Sequence, residues 1–409
     1  MTTTYDVDVP VALDARRVSA SSETRRRSDR ITRPRAGMST STRPPVASDD
    51  ATRSGGRAIA HGRTFDCAFA PRASWSALVD ALGGVDEIII TCGEDGAGRV
   101  FGVNADAGEG EEAVRAIGAC RGHAEEAVRV ACSRTAGRFA TGSADGTCAV
   151  WRVDGEGGIA RERTFEGHPG EVYGISFLGD ERGGDGVATC SETEVFRWDM
   201  ETGATVGRSA ARERDLGNDE GTPERWRPGY LFSMARGAGV LACGCSDGMV
   251  RVYGDGSSGR FGELVVELPL HPNSMVGSTS FIDEGRVLCS VGLDGTVALT
   301  DVRTWGTFRR VSSGTPLMSA CGIGGGSWLA MVGNTGIVRA FDALGDASSP
   351  RYSFEPSEPV PLFCVASNES GTMLACAGAG VPQKAPALAA SFAVKRPDPS
   401  RLDVFLARK

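Results

Sequence analysis

The chain has 409 residues, 41% of them hydrophobic, with 56 glycines and a formal net charge of −8 at pH 7. That length allows two or three average domains or one large repeat array, and glycine at this density without a collagen-like period predicts many tight turns and an all-β fold. No run of 18 apolar residues occurs, so no membrane-spanning helix is expected; an acidic body argues against direct nucleic-acid binding, which needs many Lys and Arg on phosphates.

Residues 1–57 carry 11 arginines against seven acids, whereas the remainder carries 33 basic against 45 acidic residues. The stretch RRVSASSETRRRSDRITRPRAGMSTSTRPP has too little apolar content to bury a core, so residues 1–56 are expected to form a disordered Arg/Ser-rich tail. It reads as a nuclear-import patch, an organellar presequence or a solvated tail; Asp6, Asp8 and Asp14 count against the presequence. Met38 is an alternative start. The 12 cysteines lack the dense spacing of a secreted disulfide scaffold, which suits a reducing compartment, cytoplasmic or nuclear.

From residue 57 onward one unit recurs. An acid in a turn is followed six residues later by an aromatic: Asp95 to Phe101, Asp145 to Trp151 and Asp247 to Tyr253. The offset also runs from Asp294 to Thr300; the weaker copies are Glu192 to Trp198 and Thr335 to Phe341, and a last unit runs from Leu362 to Leu406. Each copy predicts a first strand such as AVRVACS, a second such as RFATGS or VLACGCS, an Asp-Gly hairpin turn, and a third strand such as TCAVWRV or MVRVYG. Met249 and Tyr253 point one way and Val250 and Val252 the other, so the third strands are apolar on both faces and belong inside a stack of sheets.

Repeats of this length with three or four strands each indicate a β-propeller. The chain resembles the WD-repeat (transducin β-like) family through RGH ending at His123, EGH ending at His168, the Asp-Gly turns, and VW or RWDMETG in the third strand. The resemblance implies a seven-bladed propeller of four-stranded blades over residues 57–409. The blades are placed near 65–104, 123–153, 168–200, 230–254, 274–303, 317–342 and 362–408. With three strands counted in the last unit, GRAIAHGRTF is expected to close the ring as its fourth strand, leaving no exposed edge.

His61, His123, His168 and His271 each precede the first strand of a unit. A residue repeated at one structural position suits a brace better than a catalytic group. The resemblance implies a hydrogen-bonded chain of His123, Thr141 or Ser143, Asp145 and Trp151, with His168, Trp198, Asp95, Asp247 and Asp294 in the corresponding places. Buried imidazole, carboxylate and indole each need partners and can satisfy one another. A Ser-His-Asp hydrolase lacks a G-x-S-x-G elbow, zinc lacks local ligand spacing, and Cys243-Gly-Cys245 reads as buried reduced thiols. GIGGGSW at 322–328 lacks the Lys-Ser/Thr of a phosphate loop and reads as a turn. No metal, cofactor, catalytic residue or small-molecule substrate is expected.

Three insertions interrupt the repeat: 71–86, in which WSALVDAL has the pattern of an amphipathic helix, 207–229 with Trp226, and the Pro/Ala-rich 379–400. LTDVR, with Asp301 and Arg303, resembles the W-D-x-R ending by which some family members dock on cullin-RING ubiquitin ligases, with Thr300 in place of Trp. The expected function is a non-enzymatic scaffold for other proteins; the alternatives are a ligase substrate receptor, a chromatin or RNA-processing subunit and, in another class, a propeller-fold enzyme. Glu94, Glu125, Glu126, Glu171, Ser191, Ser246 and Leu293 fall on one set of turns and form the expected partner face, whose acids favour basic peptides.

Overall fold

The computed structural model describes residues 63–104, 114–134, 137–154, 156–179, 186–210, 229–324, 326–345, 352–354, 360–379, 390–395 and 403–406, the last two segments as backbone alone. The expected tail, His61 and Trp226 lie outside the described residues.

The apolar runs between Gly-containing turns pair into antiparallel sheets of four strands, each in sequence order. The first sheet holds β1 (Thr64–Phe69), β2 (Glu87–Gly93), β3 (Gly98–Val103) and β4 (Val114–Cys120), and the second β5 (Ala127–Cys132), β6 (Arg138–Ser143), β7 (Cys148–Val153) and β8 (Ile159–Phe165). The third holds β9 (Val172–Leu178), β10 (Gly186–Ser191), β11 (Glu194–Asp199) and β12 (Thr205–Ala210), and the fourth β13 (Leu231–Gly237), β14 (Val240–Cys245), β15 (Met249–Gly254) and β16 (Leu264–Pro269). The fifth holds β17 (Val276–Ile282), β18 (Val287–Gly292), β19 (Thr296–Asp301) and β20 (Gly306–Ser312), and the sixth β21 (Leu317–Gly322), β22 (Trp328–Gly333), β23 (Val338–Asp342) and β24 (Tyr352–Phe354). The last comprises β25 (Leu362–Ser367), β26 (Met373–Gly378), β27 (Ala390–Lys395) and β28 (Asp403–Leu406).

Burial is graded across each sheet. Every residue of β2 and β3 is buried, whereas β8 and β12 are made mostly of exposed and half-buried residues. The second and third strands therefore lie between neighbouring sheets, fourth strands form the rim, and the first, inner strands line the centre. β1 lies beside β5, β5 beside β9, and so on through β13, β17 and β21 to β25, which lies again beside β1. The result is an all-β propeller of four-stranded antiparallel blades, six described through their strands and a partial seventh whose outer half is backbone.

Closure corrects one expectation. The strand that pairs with β27 is β28, from the same end of the chain, and not the segment preceding β1. The Pro/Ala-rich insertion conceals β27, which pairs with β26 and completes the four strands locally. Thr64–Phe69 is meanwhile used as the inner strand of blade one, so the described part of the N-terminal segment meets the last blade at a single bridge, Arg63 to Ala379.

The helix expected in the first insertion is α1 (Arg72–Leu82), between β1 and β2. Trp75, Leu78 and Val79, at i, i+3 and i+4, share one face and are buried. They join the core formed by blades one and two, where the rings of Trp75 and Phe139 are 6.5 Å apart and Ser74 Oγ donates to Ser133 O at 3.3 Å.

Each inner strand slips register between its first and third residues. Such a bulge re-aims the third side chain, and in these strands it points to the next blade. Asp66 Oδ2 accepts from Val130 N at 3.0 Å, Arg129 Nε donates to Tyr173 O at 2.7 Å, Ser278 Oγ accepts from Ala320 N at 3.1 Å, and Ser319 Oγ accepts from Val365 N at 3.3 Å. In blade three the third residue is Gly174, where a Cβ would lie 2.4 Å from Cys190 Sγ. Arg129 covers that gap by donating also to Phe232 O of blade four at 2.7 Å. These residues surround a central cavity of about 400 Å³.

Candidate functional site

The turns joining second to third strands and the loops entering first strands share one end of the propeller; α1 lies at the other. In the Asp-Gly turns glycine is required twice over. Gly248 has φ 79°, and a Cβ there would lie 1.8 Å from His271 O of the next blade; at Gly96, φ 68°, it would lie 2.6 Å from Glu125 O. Each turn thus sits beneath the loop of its neighbour, which a side chain would push away.

Blade two shows the full brace. Trp151 Nε1 donates to Thr141 Oγ1 at 2.9 Å, and the same oxygen lies 2.7 Å from His123 Nε2. His123 Nδ1 lies 2.9 Å from Thr147 Oγ1, whose hydroxyl donates to Asp145 Oδ1 at 2.6 Å. Asp145 Oδ2 accepts from Ala124 N at 2.8 Å. With the imidazole proton on Nδ1 every donor meets an acceptor, so the network assigns that tautomer. Of the two second-strand candidates Thr141 is the linker. Ser143 instead shapes the turn, its oxygen accepting from Asp145 N at 3.1 Å and its hydroxyl donating to Glu125 O at 3.4 Å.

Blade three repeats the core of this arrangement: Trp198 Nε1 donates to Thr189 Oγ1 at 2.8 Å, and Thr189 Oγ1 lies 2.8 Å from His168 Nε2. His168 Nδ1 donates to Gly146 O of the preceding blade at 2.9 Å; a carbonyl only accepts, so the tautomer is the same. In blade five His271 Nε2 meets Ser290 Oγ at 2.9 Å, and Nδ1 faces both Asp294 oxygens at 3.2 Å and Thr296 Oγ1 at 3.1 Å. Thr300 holds the aromatic position there, is fully buried, and pairs with Thr307 Oγ1 at 3.2 Å.

Asp95 and Asp247 have a different partner. Arg251 Nη1 and Nη2 donate to Asp247 Oδ1 and Oδ2 at 3.2 and 2.7 Å, and Arg99 makes the same fork with Asp95; Arg251 Nε also donates to Glu267 Oε1 at 2.9 Å. The signal was in the sequence: four residues after the turn acid stands Arg in blades one and four, and Ala in blades two and five (Ala149, Ala298).

Burial drives His168 down from 6.5 to about 4, although its bond to Gly146 O opposes the change. Burial also lowers His123 and His271, against the pull of Asp145 and Asp294. For Asp145, burial alone would raise the carboxyl, but Thr147, the Ala124 N–H and His123 outweigh it and hold it low. Three neutral imidazoles with both nitrogens engaged have no site left to take a substrate proton or bind a metal. In the cavity Asp66 is the one carboxylate among the described lining residues. Burial raises it, opposed by Arg129 and the Val130 and Cys67 amides. No group of three or more His, Cys, Asp or Glu placed to hold a metal occurs among the described residues.

The expected partner face divides. Glu94, Glu125 and Glu126 are exposed on the turns, and Ser246 and Leu293 are half-buried. Ser191 departs from the expectation: it is fully buried, its hydroxyl held between Gly170 O and Gly170 N, because it occupies the end of a second strand and not the turn itself. Glu171 is half-buried and accepts from Tyr230 OH. Arg303 is exposed, while Asp301 Oδ1 accepts from Arg303 N at 2.8 Å and Thr304 N at 3.0 Å and so caps the turn after β19. Cys243 and Cys245 are fully buried.

The family profile described as "WD domain, G-beta repeat" matches residues 115–152. That segment begins in β4 and ends just past Trp151, enclosing His123, Thr141 and Asp145. A comparison with curated proteins gives no match.

Proposed function

Since this chain belongs to the WD-repeat β-propeller family, we propose that it is a non-enzymatic scaffold that holds other proteins through the acidic end of a seven-bladed ring. The seven-blade reading is supported by β25, which lies between β21 and β1 with the four-strand order of the other blades. One observation carries the functional reading: the polar groups that a catalytic site would need are spent inside the blades, while Glu94, Glu125 and Glu126 stand exposed on adjoining turns. Carboxylates exposed on a rigid face favour Arg- or Lys-rich segments of a partner and speed their encounter.

The scaffold works in the cytoplasm or nucleus, with the Arg-rich segment before residue 57 as the element favouring the nucleus. A role as ligase receptor would use Arg303; with Asp301 engaged in its own turn, the acidic end is the stronger candidate. Affinity purification of the full chain, beside a Glu94→Lys/Glu125→Lys/Glu126→Lys variant, tests the reading. Partners present with the parent and lost from the variant support it. Retention of every partner by a folded variant overturns it.

A further inference from the structure

Around the channel Asp66, Arg129, Ser278 and Ser319, third residues of their inner strands, hydrogen-bond to the next blade, whereas Gly174 has no side chain to do so and the seam between the two ends of the array is made by sulfur. Between β25 and β1, the last and first inner strands, the third residue is Cys364, and its Sγ lies 3.4 Å from Cys67 Sγ, 297 residues away in sequence. We propose that Cys67 and Cys364 are a dithiol that closes to a disulfide, fastening the first and last blades to each other.

A disulfide needs its sulfurs at about 2.05 Å, and β1 and β25 already lie side by side with the two thiols facing. Cys67 belongs to the lining of the central cavity and is 5% exposed, with its thiol turned to Ala375 O at 3.6 Å, so a small oxidant approaches it from the cavity; Cys364 is 1% exposed behind it. A hydroperoxide supplies the chemistry. The Cys67 thiolate attacks one peroxide oxygen; the S–O bond forms, the O–O bond breaks, and the leaving hydroxide takes up a proton as water. Cys364 then attacks the Cys67 sulfur; the S–S bond forms, the S–O bond breaks, and a second water leaves. Two thiols and hydrogen peroxide become one disulfide and two waters, with two electrons passing from sulfur to oxygen. Burial pushes the Cys364 thiol well up, and Cys67 is raised as well, so closure speeds up toward alkaline pH. Cys190 and Cys243, which meet across blades three and four, are fully buried and do not line the cavity, so they serve as an internal control.

This bond would join strands from the two ends of the repeat array, where a ring has no covalent continuity, and it would confine the unfolded chain through a very long loop. The test treats the full chain with hydrogen peroxide at mildly alkaline pH, alkylates it under denaturing conditions, and maps peptides without reduction. The expected product is a linked pair of peptides containing Cys67 and Cys364, two hydrogens lighter than their sum, with a thermal midpoint several degrees higher that dithiothreitol reverses. Cys364→Ala and, independently, Cys67→Ala lose both the linkage and the midpoint rise. Recovery of Cys67 and Cys364 as separately alkylated or separately oxidised residues overturns the proposal, and peptide mapping of the parent chain decides this even if a variant does not fold.

Discussion

Replacing Thr141 with Val keeps the shape of the side chain and removes one hydroxyl. That hydroxyl accepts from Trp151 Nε1 at 2.9 Å and meets His123 Nε2 at 2.7 Å, in a residue with no exposed surface. Water cannot replace it, so both ring nitrogens lose their partner. A buried polar group left unsatisfied costs about 1–3 kcal/mol, which for two groups places Thr141→Val at about 2–6 kcal/mol. Thr189→Val in blade three removes the same two partners from Trp198 and His168 and should cost as much. Ser290→Ala in blade five strands only His271, because no indole reaches Ser290, and should cost about half. The assay is the urea midpoint of the full chain at constant m value, which separates stability from changes in the unfolded state. A Thr141→Val midpoint within experimental scatter of the parent, or a Ser290→Ala cost equal to that of Thr141→Val, would mean that the hydroxyl does not hold both rings.

Acid should weaken the fold in a defined window. His168 falls from 6.5 to about 4 on folding; the unfolded chain therefore binds its proton first as pH drops, so the stability His168 contributes is level above about pH 7, declines from 6.5 to 4, and levels again below, where protonation of Asp145, held low in the fold, carries the loss further. At 1.36 kcal/mol per unit His168 alone removes about 3 kcal/mol across that window. Urea titrations at several pH values should show the decline, and His168→Gln should make it shallower. Arg129→Met withdraws the donor to Tyr173 O and Phe232 O and the cation 4.0 Å from Asp66; breaking such a pair costs about 3–5 kcal/mol, read as a fall in thermal midpoint. Gly248→Ala drives a Cβ to 1.8 Å from His271 O at φ 79°, and should cost about 2–4 kcal/mol in urea unfolding from overpacking and the positive φ.

The middle strands and their turns were legible because two-sided burial makes them apolar throughout and because Asp-Gly fixes the hairpin. The six-residue offset from turn acid to aromatic then placed Thr141 and Trp151 on paired strands. Fourth strands left no such trace: only the last residue of IARERTF in β8 is buried, so its composition is that of a loop. β27 was hidden by the Pro and Ala around it, which is why the ring was expected to borrow an N-terminal strand. Ser191 was placed by its offset from the turn, which does not distinguish a turn residue from the last residue of a strand. The arginine forks at Asp95 and Asp247 are written in the sequence as D-G-x-x-R, which places the guanidinium on the same strand face as the turn carboxylate. The forward bonds of Asp66, Arg129, Ser278 and Ser319 depend on a bulge in each inner strand, and a bulge has no signature in one sequence. Nor does a separation of 297 residues between Cys67 and Cys364 suggest contact.

Separating bracing from binding tests the account most directly. Fluorescence anisotropy with an arginine-rich peptide at low salt should show at least tenfold weaker binding by Glu94→Lys/Glu125→Lys/Glu126→Lys, with its thermal midpoint unchanged. Thr141→Val, kept cold enough to stay folded, should bind as the parent does while melting earlier. A variant with the same charge change elsewhere, Glu201→Lys/Glu263→Lys/Glu284→Lys, should retain most of the affinity. Equal loss in both charge variants, or loss of binding with Thr141→Val while still folded, would contradict a rigid frame whose acidic end makes the contact.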